Sequence, residues 1–188
     1  MKDTFRKIVQ SRGGGKVERC HGIPHQGSYN NAAHSWGAAM LLWYLFPERF
    51  KDLVLYLLSH DVPEFWVGDI PAPTLRCVPG VREGLTEIEA RINRELSLPA
   101  ESDLSPEDHK ILKSCDRLDL WFWCREELLL GNQWVGECLT ELEHYLEADG
   151  LFGNARRLWE ECRKESVLPT QAGVMRKLTL KEYTKDAQ

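Results

Sequence analysis

The sequence predicts a single all-α domain, and three observations predict it. No segment alternates β-branched and polar residues as a half-buried strand would. Phe50, Leu53, Val54 and Leu57 recur at the spacing that gathers apolar side chains on one helical face. Ser105-Pro106-Glu107-Asp108 reads as a helix start. It offers a hydroxyl cap, a proline whose missing N–H costs nothing in the first turn, and acids that suit the positive end of the helix dipole.

Each element follows in order. Residues 3–11 predict a short helix, and Ser11 to Gly15 (SRGGG) predict its break. Residues 16–30 read as a loop. A helix is expected from Asn31 through AAHSWGAAMLLWYLF to Pro47, and a second from about Glu48 to His60. Pro63, Pro71, Pro73 and Pro79 crowd residues 62–80, which predicts a short helix over 62–67 and then an ordered loop. Val81 to Leu96 predicts a helix, and Pro99 to Leu104 a linker. The helix opened by Ser105 should run to Leu130, where Gly131-Asn132 stops it. Two further helices are expected over 133–147 and 152–166. Residues 1–168 form the domain, and residues 169–188 read as a weakly helical C-terminal extension.

A chain of 188 residues can bury a sizeable core. Its formal net charge of -5 disfavours a nucleic-acid polymer as partner, because Lys and Arg neutralising phosphates dominate that affinity. The six cysteines form no CxxC pair and read as small buried hydrophobes in a reducing compartment. MKDTFRKIVQSRGGGK carries no apolar leader-like run. No later stretch approaches the roughly 20 apolar residues of a membrane span. A cytoplasmic protein without a membrane partner is expected.

Four residues stand out together: His34 near the start of one helix, His60 and Asp61 at the end of the next, and Asp116 inside the helix that Ser105 opens. Packed helices can bring these places to one point. Two imidazoles and two carboxylates suit a borderline or hard divalent ion and leave positions for a water and a phosphate oxygen. Each residue alone has an ordinary reading. A lone helical histidine is usually structural, and Asp116 has Arg117 and Lys113 nearby as ion-pair partners.

The stretches around these residues carry a resemblance. AAHSW, SHDVPEFWVGDIPAP and KSCDRLDLWFWCREELLLGN follow one another in the order found in HD-domain phosphohydrolases. The chain resembles in particular the small 5'-deoxynucleotidases and phage-type deoxynucleoside triphosphohydrolases. Their phrase HD-x-x-E-x-x-x-G-D-x-P-x-P is matched by His60, Asp61, Glu64, Gly68, Asp69, Pro71 and Pro73. The resemblance runs from Arg19 to about Asn132.

It implies a single HD-domain helical bundle that hydrolyses phosphate esters of small-molecule 2'-deoxynucleotides with one divalent ion (Co, Mn, Zn or Mg). The products would be the deoxynucleoside from the monophosphate, the triphosphate or both, with a dATP-type substrate favoured. His34, His60, Asp61 and Asp116 match the metal ligands. Glu64 matches the acid that orients or deprotonates the attacking water, and Asp69 a second acid near the ester. Arg19 and Lys113 match phosphate-binding groups. The chemistry agrees: Glu64 lies about one turn after Asp61, so its carboxylate can face the same site, and two cations can stabilise charge on the phosphate oxygens.

The chain departs from the pattern at Cys20, where these enzymes often place a nucleoside-packing Trp, and this bears on base choice. Pro73 reads either as an apolar wall of the base pocket or as a loop stiffener. His21 and His25, in the same loop, could stack on a base but are expected to be exposed. Trp121, Phe122 and Trp123 should pack between helices or at a subunit contact, Glu126 and Glu127 should pair with Arg125 or cap neighbouring groups, and Trp36, Trp43 and Tyr44 should lie in the core or the interface of a homo-oligomer. Two other readings stay open: a nucleotide phosphodiesterase, and a non-catalytic nucleotide sensor on the same fold.

Overall fold

The structure, a computed structural model, describes residues 1–165. The expected extension over 169–188 lies outside the described residues. Among the described residues there are nine α-helices and a single antiparallel bridge between Glu18 and Asn30. The helices are α1 (Lys2–Gly14), α2 (Asn31–Leu45), α3 (Phe50–Ser59), α4 (Glu64–Val67), α5 (Ala72–Cys77), α6 (Val81–Leu96), α7 (Pro106–Leu129), α8 (Gly136–Tyr145) and α9 (Asn154–Cys162). No helix among the described residues is long and apolar enough to cross a membrane.

The centre is α2 packed against α3 on one side and α7 on the other. Ala38 and Leu42 of α2, Leu53 and Leu57 of α3, and Ile111, Cys115, Leu118 and Trp121 of α7 form one buried cluster, which Leu139, Leu146 and Trp159 extend. Truncating a fully buried leucine such as Leu42 or Leu118 to alanine costs about 2–5 kcal/mol through lost transfer energy and the cavity left behind. The predicted start of α7 is present: Ser105 accepts from the Asp108 N–H at 3.1 Å. Asn30 caps α2 in the same way, accepting from Ala33 N–H at 3.0 Å.

Four expectations are corrected. The SRGGG segment does not break the first helix; α1 continues to Gly14. Its glycines serve close approach instead. A Cβ on Gly13 would lie 2.7 Å from the Phe65 ring, and one on Gly14 would lie 2.7 Å from Val62 Cα. Second, residues 72–77 form α5 rather than loop, because Pro71 and Pro73 fall where a helix start tolerates a missing N–H. Third, Trp36, Trp43 and Tyr44 are not core: they are 65%, 50% and 78% exposed on α2. Fourth, Cys77 is exposed, while Cys115 and Cys124 are buried as expected and all six cysteines are free. Trp121 and Trp123 do pack between helices.

Candidate metal centre and active site

Three helices deliver to one point three side chains that could hold a metal ion. His34 lies in the first turn of α2 and is fully buried. His60 follows the last residue of α3. Asp116 lies on the buried side of α7 rather than towards Arg117, whose guanidinium goes to Gly150 O and the Tyr145 hydroxyl. One ligating atom from each of His34, His60 and Asp116 lies within 4.8 Å of the others. Asp61 borders this group. Its Oδ1 is 3.3 Å from His60 Nε2 and its Oδ2 is 3.8 Å from His34 Nε2.

The donor set fits an ion on an observation independent of residue type. His34 Nε2 is buried and has no hydrogen-bond partner among the described residues. Asp116 Oδ1 approaches it to 2.9 Å, but off the line of a hydrogen bond. A buried nitrogen lone pair without a donor costs energy unless something else satisfies it, and a cation between these groups would do so. Without an ion, electrostatics binds the group together. Burial opposes charge on all three residues. Even so, Asp116 and Asp119 hold His34 above its ordinary value, and Asp61 and Asp116 push His60 up to about 9. The two imidazoles in turn hold Asp116 well below the usual carboxylate range.

Arg19 reaches the centre from the 16–30 loop. That loop folds back through the Glu18–Asn30 bridge, with Arg19 N–H donating to Tyr29 O at 2.7 Å. The guanidinium donates to Asp61 Oδ2 and, at 3.2 Å, to Asn31 Oδ1. Glu64 opens α4 one turn after Asp61 and accepts from Asn31 Nδ2 at 2.7 Å. Burial, and then the Asp61 charge, push its carboxyl up to about 8. Gly68, at φ 77°, ends α4 in a conformation that favours glycine and turns the chain into Asp69.

Asp69 accepts from the Cys20 N–H at 3.0 Å. Cys20 itself sits at φ 52°, a left-handed conformation that costs a non-glycine residue about 1 kcal/mol or more. Asp69 therefore anchors the strained joint beside Arg19. Lys113 is exposed one turn before Asp116 and lines a cavity of about 90 Å³ with Tyr56, His60 and Asp116. Pro73 is exposed on α5. His21 is exposed as expected. His25 is not: it is half-buried, with its edge against Trp123 at 5.5 Å and Nδ1 2.8 Å from Ile23 O. Glu127 takes a capping role rather than pairing with Arg125. It is buried and accepts from Gln26 N–H at 3.1 Å and Asn132 Nδ2 at 2.6 Å, tying the loop to α7.

Sequence reasoning missed Tyr29, Asn31, Gly37 and Asp119. Asp119 had a usable signal, since Asp116 and Asp119 are three residues apart and so share a helical face.

Comparison with known proteins places the chain. A family model described as YfbR-like 5'-deoxynucleotidase matches residues 15–152. The 5'-deoxynucleotidase of Vibrio atlanticus is 32% identical over an alignment covering 54% of this chain and 57% of that one. The chain thus spans little more than half the length of the curated relatives it matches. Among solved structures, an HD-domain phosphohydrolase from Listeria innocua aligns with a TM-score of 0.67 and 19% identity, over 96% of this chain and 98% of its own. The cyanophage S-2L HD phosphohydrolase, solved with dA and one catalytic Zn²⁺, aligns with a TM-score of 0.61 and 20% identity, over 82% of this chain and 94% of its own. These two establish an HD-domain fold. The family match covers well over half of the chain, and the chain belongs to the YfbR-like 5'-deoxynucleotidase family.

Proposed function

We propose that this protein hydrolyses the phosphate ester of 2'-deoxynucleotides, with one divalent ion held by His34, His60, Asp61 and Asp116. The observation that carries the reading is the buried, unpartnered His34 Nε2 converging with His60 and Asp116. A bound divalent ion supplies Lewis acidity, lowering the pKa of water and shielding phosphate charge.

The chain's own groups do the rest. Asn31 aims the Glu64 carboxylate, which takes the proton of the attacking water. The water oxygen forms a bond to phosphorus as the bond to the leaving oxygen breaks. Arg19 and Lys113 stabilise the charge on the phosphate oxygens. Arg19 is held for this by Asp61 and Asn31, and Asp69 steadies its loop through the Cys20 N–H. Cys20 and Pro73 face the nucleoside in this reading, and adenine is the favoured base. The monophosphate and the triphosphate use the same centre.

The net charge of -5 supports a small-molecule substrate over a nucleic-acid polymer. The free thiols support a cytoplasmic enzyme. The exposed Trp36, Trp43 and Tyr44 support a homo-oligomer. The test is incubation with Mn, Co, Zn or Mg and a panel of deoxy- and ribonucleotides, resolving phosphate, pyrophosphate and triphosphate. Release of phosphate or triphosphate from deoxynucleotides supports the reading. Turnover of none of them, at full metal occupancy, contradicts it.

A further inference from the structure

We infer that Asp119, with Tyr29 and Gly37, is a positioning unit that locks His34 in the one tautomer able to present Nε2 to the metal; this rests on the metal site proposed above. Asp119 lies one turn beyond Asp116 on α7, behind the His34 ring. Its Oδ2 is 2.8 Å from His34 Nδ1 and accepts the Tyr29 hydroxyl at 2.9 Å. A carboxylate can only accept, so Nδ1 must carry a hydrogen and donate it. When the imidazole is neutral, the lone pair is then on Nε2, the buried nitrogen without a hydrogen-bond partner.

Tyr29 is fixed in turn. It stacks on Trp123 with ring centroids 4.6 Å apart, and its hydroxyl also lies 3.2 Å from His34 Nδ1. The hydroxyl hydrogen is committed to Asp119, so the tyrosine oxygen does not compete as a donor to the ring.

Gly37 is the independent observation. It sits on α2 three residues after His34. A Cβ built there would fall inside the Asp119 carboxylate, 2.8 Å from its Cγ. The carboxylate can seat behind His34 only because residue 37 has no side chain. A methyl group there cannot coexist with the carboxylate in its present place, where it would overlap Oδ1, so the contact with Nδ1 must be disturbed. Partners behind a ligating histidine fix its orientation and raise its basicity, and losing one typically costs 10–100-fold in metal affinity or activity.

The experiment measures Mn²⁺ and Co²⁺ dissociation constants by calorimetry for wild type, Asp119→Asn, Gly37→Ala and Asp116→Ala, with thermal unfolding of each in chelator. Asp119→Asn and Gly37→Ala should each weaken metal binding about tenfold or more. The loss should exceed anything the chelated melting temperatures suggest, and the Co²⁺ visible spectrum should shift. If Asp116→Ala loses metal but both other variants bind it like wild type, Asp119 is merely structural and the inference falls alone. If Asp116→Ala also binds like wild type, the metal site falls and takes this inference with it.

Discussion

Asn31 Nδ2 donates to the Glu64 carboxylate at 2.7 Å and also lies 3.3 Å from Asp61 O, so a single amide ties the acid proposed to activate water to the backbone of the HD pair. Asn31 is buried in the first turn of α2, three residues before His34. Glu64 therefore has a fixed place relative to His34 and Asp61, outside the group of His34, His60 and Asp116 that could hold an ion.

That separation gives the first prediction. Glu64→Ala should keep its metal and bind nucleotide, yet lose about 100-fold or more in turnover, the scale of a general base. Asn31→Ala should lose less, because the carboxylate remains but is no longer aimed. Single-turnover rates at saturating metal check both. Near-wild-type rates in Glu64→Ala would make it a bystander.

The second prediction concerns pH. In the metal-free protein, neighbouring carboxylates overcome burial and raise His60 from an ordinary 6.5 to about 9. Burial and Asp61 raise Glu64 from 4.5 to about 8. A group raised on folding adds stability that is complete below its unfolded value and gone above its folded value. The chelated protein should thus lose stability as pH rises, through Glu64 from about 4.5 to about 8 and through His60 from about 6.5 to about 9. Asp116, held low, acts oppositely, and its contribution disappears only in strong acid, as pH falls below its ordinary 3.8. Metal requires neutral imidazoles, so its affinity should rise over the same neutral-to-alkaline window. Melting curves with and without ion should diverge as pH increases; convergence would contradict the scheme.

The third separates phosphate from base recognition. Arg19→Ala should raise the Michaelis constant for all nucleotides alike, by about tenfold or more, the scale of a charge-assisted hydrogen bond. Because Arg19 also pairs with Asp61, the assay needs saturating metal. Cys20→Trp should instead alter the ranking of bases by adding stacking area. Steady-state kinetics on four deoxynucleotides and their ribose counterparts decide it. A ranking that shifts in Arg19→Ala and holds in Cys20→Trp would exchange the two subsites.

Local signals were the legible ones. The Ser105 cap, the end of α7 at Gly131-Asn132 and the HD pair with Glu64 one turn on are all written in short stretches of chain. What escaped depends on partners distant in sequence. SRGGG reads as a break until α4 places Phe65 and Val62 against Gly13 and Gly14. Gly37 has no local meaning at all, since its role comes from Asp119 on another helix. The α2 aromatics misled for a different reason. That helix is apolar on nearly every face, so its pattern does not say which side Trp36 and Tyr44 occupy.

The metal site is the central claim, and metal stoichiometry tests it most directly. Elemental analysis should be run on wild type, His60→Ala, Asp61→Ala and Asp116→Ala after loading with Mn²⁺ and desalting. The account predicts about one ion per chain in wild type and little in each variant, with turnover lost in parallel, because a centre this size cannot drop an imidazole or carboxylate and hold its ion tightly. Full occupancy in His60→Ala, Asp61→Ala or Asp116→Ala would contradict it.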